Sequence, residues 1–241
     1  MSIAANLRLV KDRIAEACRV AGRDPRAVRI VAVSKTQPAE AVLAAVAAGA
    51  DAIGENRVQE AADKRPLVAG ATPWHLIGPL QRNKAGRALE LFDVIETVDR
   101  VELADRLDAL LAREIRPATP GGSPGGRVLP VFLEVNIGGE PQKSGVAPEE
   151  AHRLAEHVLR HCPHLYLTGL MTVPPNCPDP EGARPHFASL RVLADRLSSS
   201  LGHPRLELSM GMSDDYRVAV EEGADWVRLG RTVFGERRVG V

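Results

Sequence analysis

The feature that most constrains this chain is a rhythm: short apolar, β-branched runs alternate with helical segments along nearly its whole length. The first run is the clearest. Val28, Ile30, Val31, Ala32 and Val33 show little polar alternation, as expected of a strand buried on both faces. The run presents Ser34, Lys35 and Thr36, then turns at Pro38 into an Ala-rich helix over Ala39–Ala48 that stops at Gly49. Further strands are predicted at Asp51–Gly54, Trp74–Gly78, Val94–Val98, Val128–Asn136, Leu165–Val173, Leu206–Ser209 and Trp226–Leu229, each followed by a helical pattern. A preceding helix over 3–21 carries Ile3, Leu7, Val10, Ile14 and Ala17 on one face. Eight βα units predict a parallel sheet closed into an α/β (β/α)8 TIM barrel with an extra N-terminal helix. An open doubly wound sheet is the alternative, but no G-x-G-x-x-G follows the first strand.

Composition enters where the core must be filled. Hydrophobic residues make up 44% and aromatics only 3%, so Ala, Val, Leu and Ile do the packing. The stretch PATPGGSPGG at 117–126 cannot pack a core and reads as a flexible loop of about 117–127. The alternation resumes in phase beyond it, which favours one domain over 1–241 rather than a linker between two. Lys+Arg and Asp+Glu both number 31, so there is no net field to attract nucleic acid or an anionic membrane. Cys18, Cys162 and Cys177 are odd in number and far apart, which suggests neither a disulfide framework nor a Cys-x-x-Cys metal site. No apolar stretch is long enough to span a bilayer, and a cytoplasmic protein is expected.

In a barrel, chemistry gathers at the C-terminal ends of the strands. There a lysine can lose part of its hydration, and the neutral amine becomes available to condense with a carbonyl. Lys35 ends strand one. Asn56 follows strand two, His75 lies in strand three, and Ser209 ends strand seven. Arg228, Gly230, Arg231 and Thr232 close strand eight. The loops after strands seven and eight are the usual phosphate site of this fold, where Ser209 and Thr232 offer hydroxyls and Gly230 lets backbone approach. A lysine on strand one together with such a cradle describes pyridoxal phosphate, an aldehyde for the lysine and a phosphate for the cradle.

Each residue also has a plainer reading. Lys35 could be a surface lysine, Arg228 could pair with Glu55 or Glu207, and Ser209 could satisfy local backbone. Ser213 with Asp214 and Asp215 reads as an N-cap and acidic first turn of a helix running to Glu222. His157 and His161 stand at i, i+4 spacing with Cys162 and His164 nearby. No further metal ligand is evident in sequence, so a solvated helix end is the expectation. Met171, Met210 and Met212 read as packing residues at the barrel top.

Over nearly its whole length the chain resembles the pyridoxal phosphate homeostasis proteins, relatives of the N-terminal barrel of alanine racemase. The resemblance rests on VAVSKTQP (31–38), GENRVQE (54–60), WHLIGPLQRNK (74–84), VNIGGEPQKSG (135–145), GLMTVPP (169–175) and LSMGMSDDYRVAVEEGADWVRLG (208–230). It implies pyridoxal 5′-phosphate carried on Lys35 as a Schiff base. It also implies a phosphate held by Ser209, by backbone amides near Gly230 and Arg231, and by the Thr232 hydroxyl. Arg228 would face the pyridine nitrogen, with Asn56 and His75 close by. Many relatives read Arg-x-Gly-Thr or Arg-x-Gly-Ser after the last strand, whereas this chain reads Arg228-Leu229-Gly230-Arg231-Thr232.

The leading expectation is a carrier or buffer of the cofactor, with cofactor-dependent apoenzymes as recipients, rather than a catalyst, and a small single barrel with an open mouth suggests a monomer. No second β domain of the racemase kind follows the barrel in this sequence, and neither Tyr166 nor Tyr216 is placed to act as a base opposite Lys35. A racemase-like enzyme using Lys35 as base is the alternative, and a cofactor-free Schiff-base aldolase a third.

Overall fold

The computed structural model describes residues 2–68, 70–114 and 127–235, so the loop expected over 117–126 lies outside the described residues. Eight parallel strands close into a barrel in sequential order. They are β1 (Arg29–Val33), β2 (Ala52–Glu55), β3 (Trp74–Leu76), β4 (Val94–Val98), β5 (Leu129–Glu134), β6 (Leu165–Met171), β7 (Glu207–Ser209) and β8 (Trp226–Leu229). Closure comes from β1 pairing β8 in register, Arg29 with Trp226 through Ala32 with Leu229. The seam between β7 and β8 is thin, with Ser209 opposite Trp226.

The helices are α1 (Ile3–Val20), α2 (Ala39–Ala47), α3 (Val58–Lys64), α4 (Ala85–Leu91), α5 (Val101–Glu114), α6 (Ala151–His161), α7 (Arg184–Leu201), α8 (Tyr216–Glu221) and α9 (Arg231–Phe234). The last two are too short to cover their side of the barrel. The extra helix α1 makes up for this, burying Leu7, Val10, Ile14, Ala17 and Cys18 against the core. Arg23 just beyond α1 donates to the Val220 and Ala224 carbonyls at 2.6 and 2.9 Å, and Asn6 donates to the Val233 carbonyl at 2.9 Å.

The period of two along each strand sorts residues between two shells. Ile30, Ala32, Trp74, Leu76, Ile95, Leu133, Leu208, Val227 and Leu229 join the outer core under the helices. Val31, Ala52, Phe132, Met171 and Trp226 form the inner cluster. The alternate positions His75, Glu96, Glu134, Ser209 and Arg228 therefore point into the barrel, and all are buried. At the floor, the Trp226 indole N–H donates to Glu207 at 2.8 Å, while Arg29 pairs with Glu207 at 2.6 Å and lies 4.0 Å over the Trp226 ring. No helix among the described residues is long and apolar enough to cross a membrane.

Candidate functional site

A cleft of about 330 Å³ opens at the C-terminal mouth of the barrel. Lys35, Asn56, Arg228, Gly230 and Arg231 line it, with Val33, Ile77, Val173 and Met212 as apolar walls. Lys35 stands beyond the end of β1 in a turn whose next residue, Thr36, has φ +65. A β-branched residue rarely adopts that conformation, so the surroundings must impose it. They do so through a buried ammonium. Lys64 donates to the Ser34 carbonyl at 2.6 Å, to Glu55 at 2.8 Å and to Glu60 at 2.6 Å, and Glu60 accepts the Thr36 N–H. The Ser34 hydroxyl donates to Glu55 at 2.6 Å. Burial pushes the Glu55 carboxyl up from its ordinary value despite Lys64 and Ser34. Asn56 is set by close backbone packing, since a Cβ on Gly78 would stand 2.3 Å from the Asn56 carbonyl oxygen.

Beneath the cleft lies a polar ladder. Arg228 donates to the Ser209 hydroxyl at 2.8 Å and to the Thr172 carbonyl at 2.7 Å. Ser209 donates to Glu96 at 2.5 Å, and the other Glu96 oxygen meets His75 Nδ1 at 2.6 Å. The His75 ring stands 4.8 Å from the Trp226 ring. These contacts place two of the expected residues below the surface of the cleft. Ser209 is fully buried, bonds Glu96 and Arg228, and is not among the residues lining the cleft. His75 faces Glu96 and Trp226 below the cleft and is not among the residues lining it. Neither Glu55 nor Glu207 pairs with Arg228, because Lys64 takes the first and Arg29 the second.

Two carboxylates inside the barrel, Glu96 in this ladder and Glu134 beside it, behave in opposite ways. Burial alone would push Glu96 up, but the His75 hydrogen bond and charge, Arg228 and the Ser209 hydroxyl hold it below its ordinary value. Burial and the charge of Asp99 push Glu134 up to about 7, against the pull of Arg228. One Glu134 oxygen is buried without a hydrogen-bond partner. Between the unfolded carboxyl's pKa of about 4.3 and 7, the folded state holds a proton that the unfolded chain has released, so stability falls as pH rises through that window. The full loss is about 3–4 kcal/mol. Glu134→Gln is expected to flatten this slope and to exceed the wild type in urea resistance at pH 8 but not at pH 4.5. Equal pH dependence of the two proteins would contradict the assignment.

The loops after β7 and β8 meet at the opposite lip. Helix α8 begins only at Tyr216, since Asp215 folds back to accept the Met212 N–H at 2.6 Å. Ser213 is thus not the N-cap expected of it. It lines the cleft, and its hydroxyl accepts the Thr232 N–H at 3.3 Å. Arg231 pairs with Asp214 across the lip. Thr232 reaches this lip through its backbone and is not among the lining residues. Sequence reasoning missed Ser213, Glu96 and Glu134. Strict alternation along VIETV and LPVFLE would have pointed both glutamates inward. Met212 lines the cleft, Met171 packs inside the barrel and Met210 in the outer core. Tyr166 is half exposed on β6, and Tyr216 is buried in α8.

The family model for the alanine racemase N-terminal domain matches residues 2–238. A pyridoxal phosphate homeostasis protein of Pseudomonas aeruginosa is 46% identical over 240 residues, covering 99% of this chain and 97% of that one. The crystal structure of an unknown protein from Bifidobacterium adolescentis superposes with a TM-score of 0.85 at 35% identity, covering 96% of this chain and 94% of that one. PipY of Synechococcus elongatus, solved with pyridoxal phosphate bound, has a TM-score of 0.77 at 35% identity and covers 94% of this chain and 100% of its own.

Proposed function

We propose that this chain, which belongs to the pyridoxal phosphate homeostasis proteins within the alanine racemase N-terminal domain family, binds pyridoxal 5′-phosphate in the mouth cleft and holds it for delivery without a dedicated substrate. One observation carries the reading: a single cleft gathers Lys35 from the β1 end and Gly230 and Arg231 from the β8 end, with Arg228 also lining it. Pyridoxal phosphate supplies an aldehyde, a phosphate dianion and a ring nitrogen to such a cleft. The volume lies at the lower end of the range typical of small-ligand sites.

Gly230 provides the test of fit. Its φ of −100 suits any residue, and an added Cβ would meet only Val33, at ordinary distances of 3.6 and 3.7 Å. Nothing in the described chain demands a glycine there, so the space beside it is kept for what enters the cleft. Gly230→Ala is expected to hold or slightly raise stability, by about 0.4–1 kcal/mol. It should weaken pyridoxal phosphate binding about tenfold, or about 1.4 kcal/mol. Unchanged affinity in a fluorescence titration would remove Gly230 from the site.

In this reading Lys35 would hold the cofactor through its aldehyde, the group with which a neutral amine condenses. Ser213, the backbone at Gly230 and Arg231, and the Arg231 guanidinium bind the phosphate in place of the expected Ser209. Arg228 stays cationic despite its burial and would disfavour a second positive charge on a ring nitrogen facing it, which would weaken the ring as an electron sink. The tyrosines of the described chain lie outside the cleft, so neither is placed to hold a proton opposite Lys35. The test is α-proton exchange. The loaded protein, incubated with amino acids in deuterated water, is expected to incorporate no more deuterium than free pyridoxal phosphate does, while an added apoenzyme gains activity. Exchange that exceeds the free cofactor and is lost in Lys35→Ala would make the protein an enzyme.

A further inference from the structure

Away from the mouth, two helices bring together three kinds of metal-ligating side chain. Asp105 in α5 accepts a hydrogen bond from His157 in α6, whose Nε2 lies 2.6 Å from Asp105 Oδ1. Cys162, the residue closing α6, has its Sγ 3.9 Å from that same oxygen. The three ligand atoms all lie within 4.8 Å of one another. The cysteine is held in place by backbone, its N–H bonding the Val158 carbonyl at 3.1 Å and its carbonyl accepting the Leu165 N–H at 2.9 Å. A fourth candidate stands beside them, since the His161 ring is 5.0 Å from that of His157. Asp108, one turn along α5 from Asp105, accepts from the His164 backbone and ring at 2.8 and 3.0 Å and adds negative charge nearby.

We propose that Asp105, His157 and Cys162 form a site for a divalent ion of the zinc class, with His161 or water as the fourth ligand. A thiolate, an imidazole and a carboxylate together suit zinc, whereas calcium and magnesium select oxygen. Around a tetrahedral zinc the ligand atoms stand about 3.3–3.6 Å apart, from bond lengths of about 2.0–2.3 Å. The observed separations bracket that spacing. Asp105 and His157 are partly exposed, so side-chain rotation closes the difference. On binding, Cys162 releases its thiol proton to solvent, the proton between His157 Nε2 and Asp105 Oδ1 leaves Nε2 (to solvent from an imidazolium, or with reprotonation at Nδ1 in the neutral ring), and both freed atoms turn to the metal. The ion would join the helix before β5 to the helix after it, a structural role separate from the cofactor cleft.

The sequence alone concealed this site because Asp105 lies more than fifty positions before its partners. The probe is Co2+ added to the metal-free, reduced protein. A sulfur-to-cobalt charge-transfer band with a tetrahedral ligand-field band is expected, displaced by Zn2+, retained in Cys18→Ser and Cys177→Ser, and lost in Cys162→Ser. Asp105→Asn, at a partly exposed position that spares the core, should weaken Co2+ binding at least tenfold and reduce the rise in Tm given by Zn2+. Absence of the charge-transfer band, its persistence in Cys162→Ser, or unchanged affinity in Asp105→Asn would each overturn the proposal.

Discussion

Replacing Glu96 by Gln is expected to cost about 3–5 kcal/mol of stability, the usual consequence of breaking a buried ion pair from one side. The side chain is isosteric, so no cavity forms. What is lost is charge. Arg228 is buried in the barrel and Glu96 is its strongest countercharge, reached through Ser209, which bonds both. Glu134, whose carboxyl is held up to about 7, cannot supply a full negative charge at neutral pH without first losing its proton. For a chain of this size the loss corresponds to a Tm drop of about 6–20 °C. Replacing both partners, as Glu96→Gln with Arg228→Met, should recover much of it, because the uncompensated charge is then gone. A single-variant Tm within about 2 °C of the wild type would show that the ladder carries little energy.

The second large effect falls on binding. Lys35→Ala should fold normally, since Lys35 stands in a turn beyond β1 and the clamp on that turn runs through Lys64, Glu55 and Glu60. It should lose the covalent link to pyridoxal phosphate and bind it about 100-fold more weakly, about 2.7 kcal/mol. Residual binding is expected, because each charge-assisted hydrogen bond to the phosphate still contributes about 1.5–3 kcal/mol. Lys64→Ala is different in kind. It would leave Glu55 buried without its cation and release the Ser34–Thr36 turn, so stability should fall along with binding. A Lys35→Ala protein that still holds the cofactor through dialysis as firmly as the wild type would contradict the role given to this lysine.

The barrel was legible in sequence because each strand is a short apolar run set off by breakers. β4 and β8 have the predicted bounds, Val94–Val98 and Trp226–Leu229. The interior was less legible. Apolar runs read as strands buried on both faces, yet one face carries Glu134 and the chain His75–Glu96–Ser209–Arg228, whose side chains bond one another from different strands. Such partners are far apart in the chain, 113 positions for Ser209 and Glu96, and no local pattern announces them. Ser213 was concealed for a local reason. Ser-Asp-Asp resembles an N-cap and first turn, but Asp215 bends back to Met212 and delays the helix, leaving Ser213 facing the cleft. Lys35, Asn56, Arg228, Gly230 and Arg231 needed no such partner information, because the ends of β1, β2 and β8 bring them to one mouth.

The central claim is that Lys35 carries pyridoxal phosphate in this cleft. Its most direct test is to load the purified protein, reduce it with borohydride and map the modified peptide by mass spectrometry. A single pyridoxyl group on Lys35, absent from the Lys35→Ala protein, is the predicted result. Modification spread over surface lysines, or none at all after incubation with the cofactor, would contradict it.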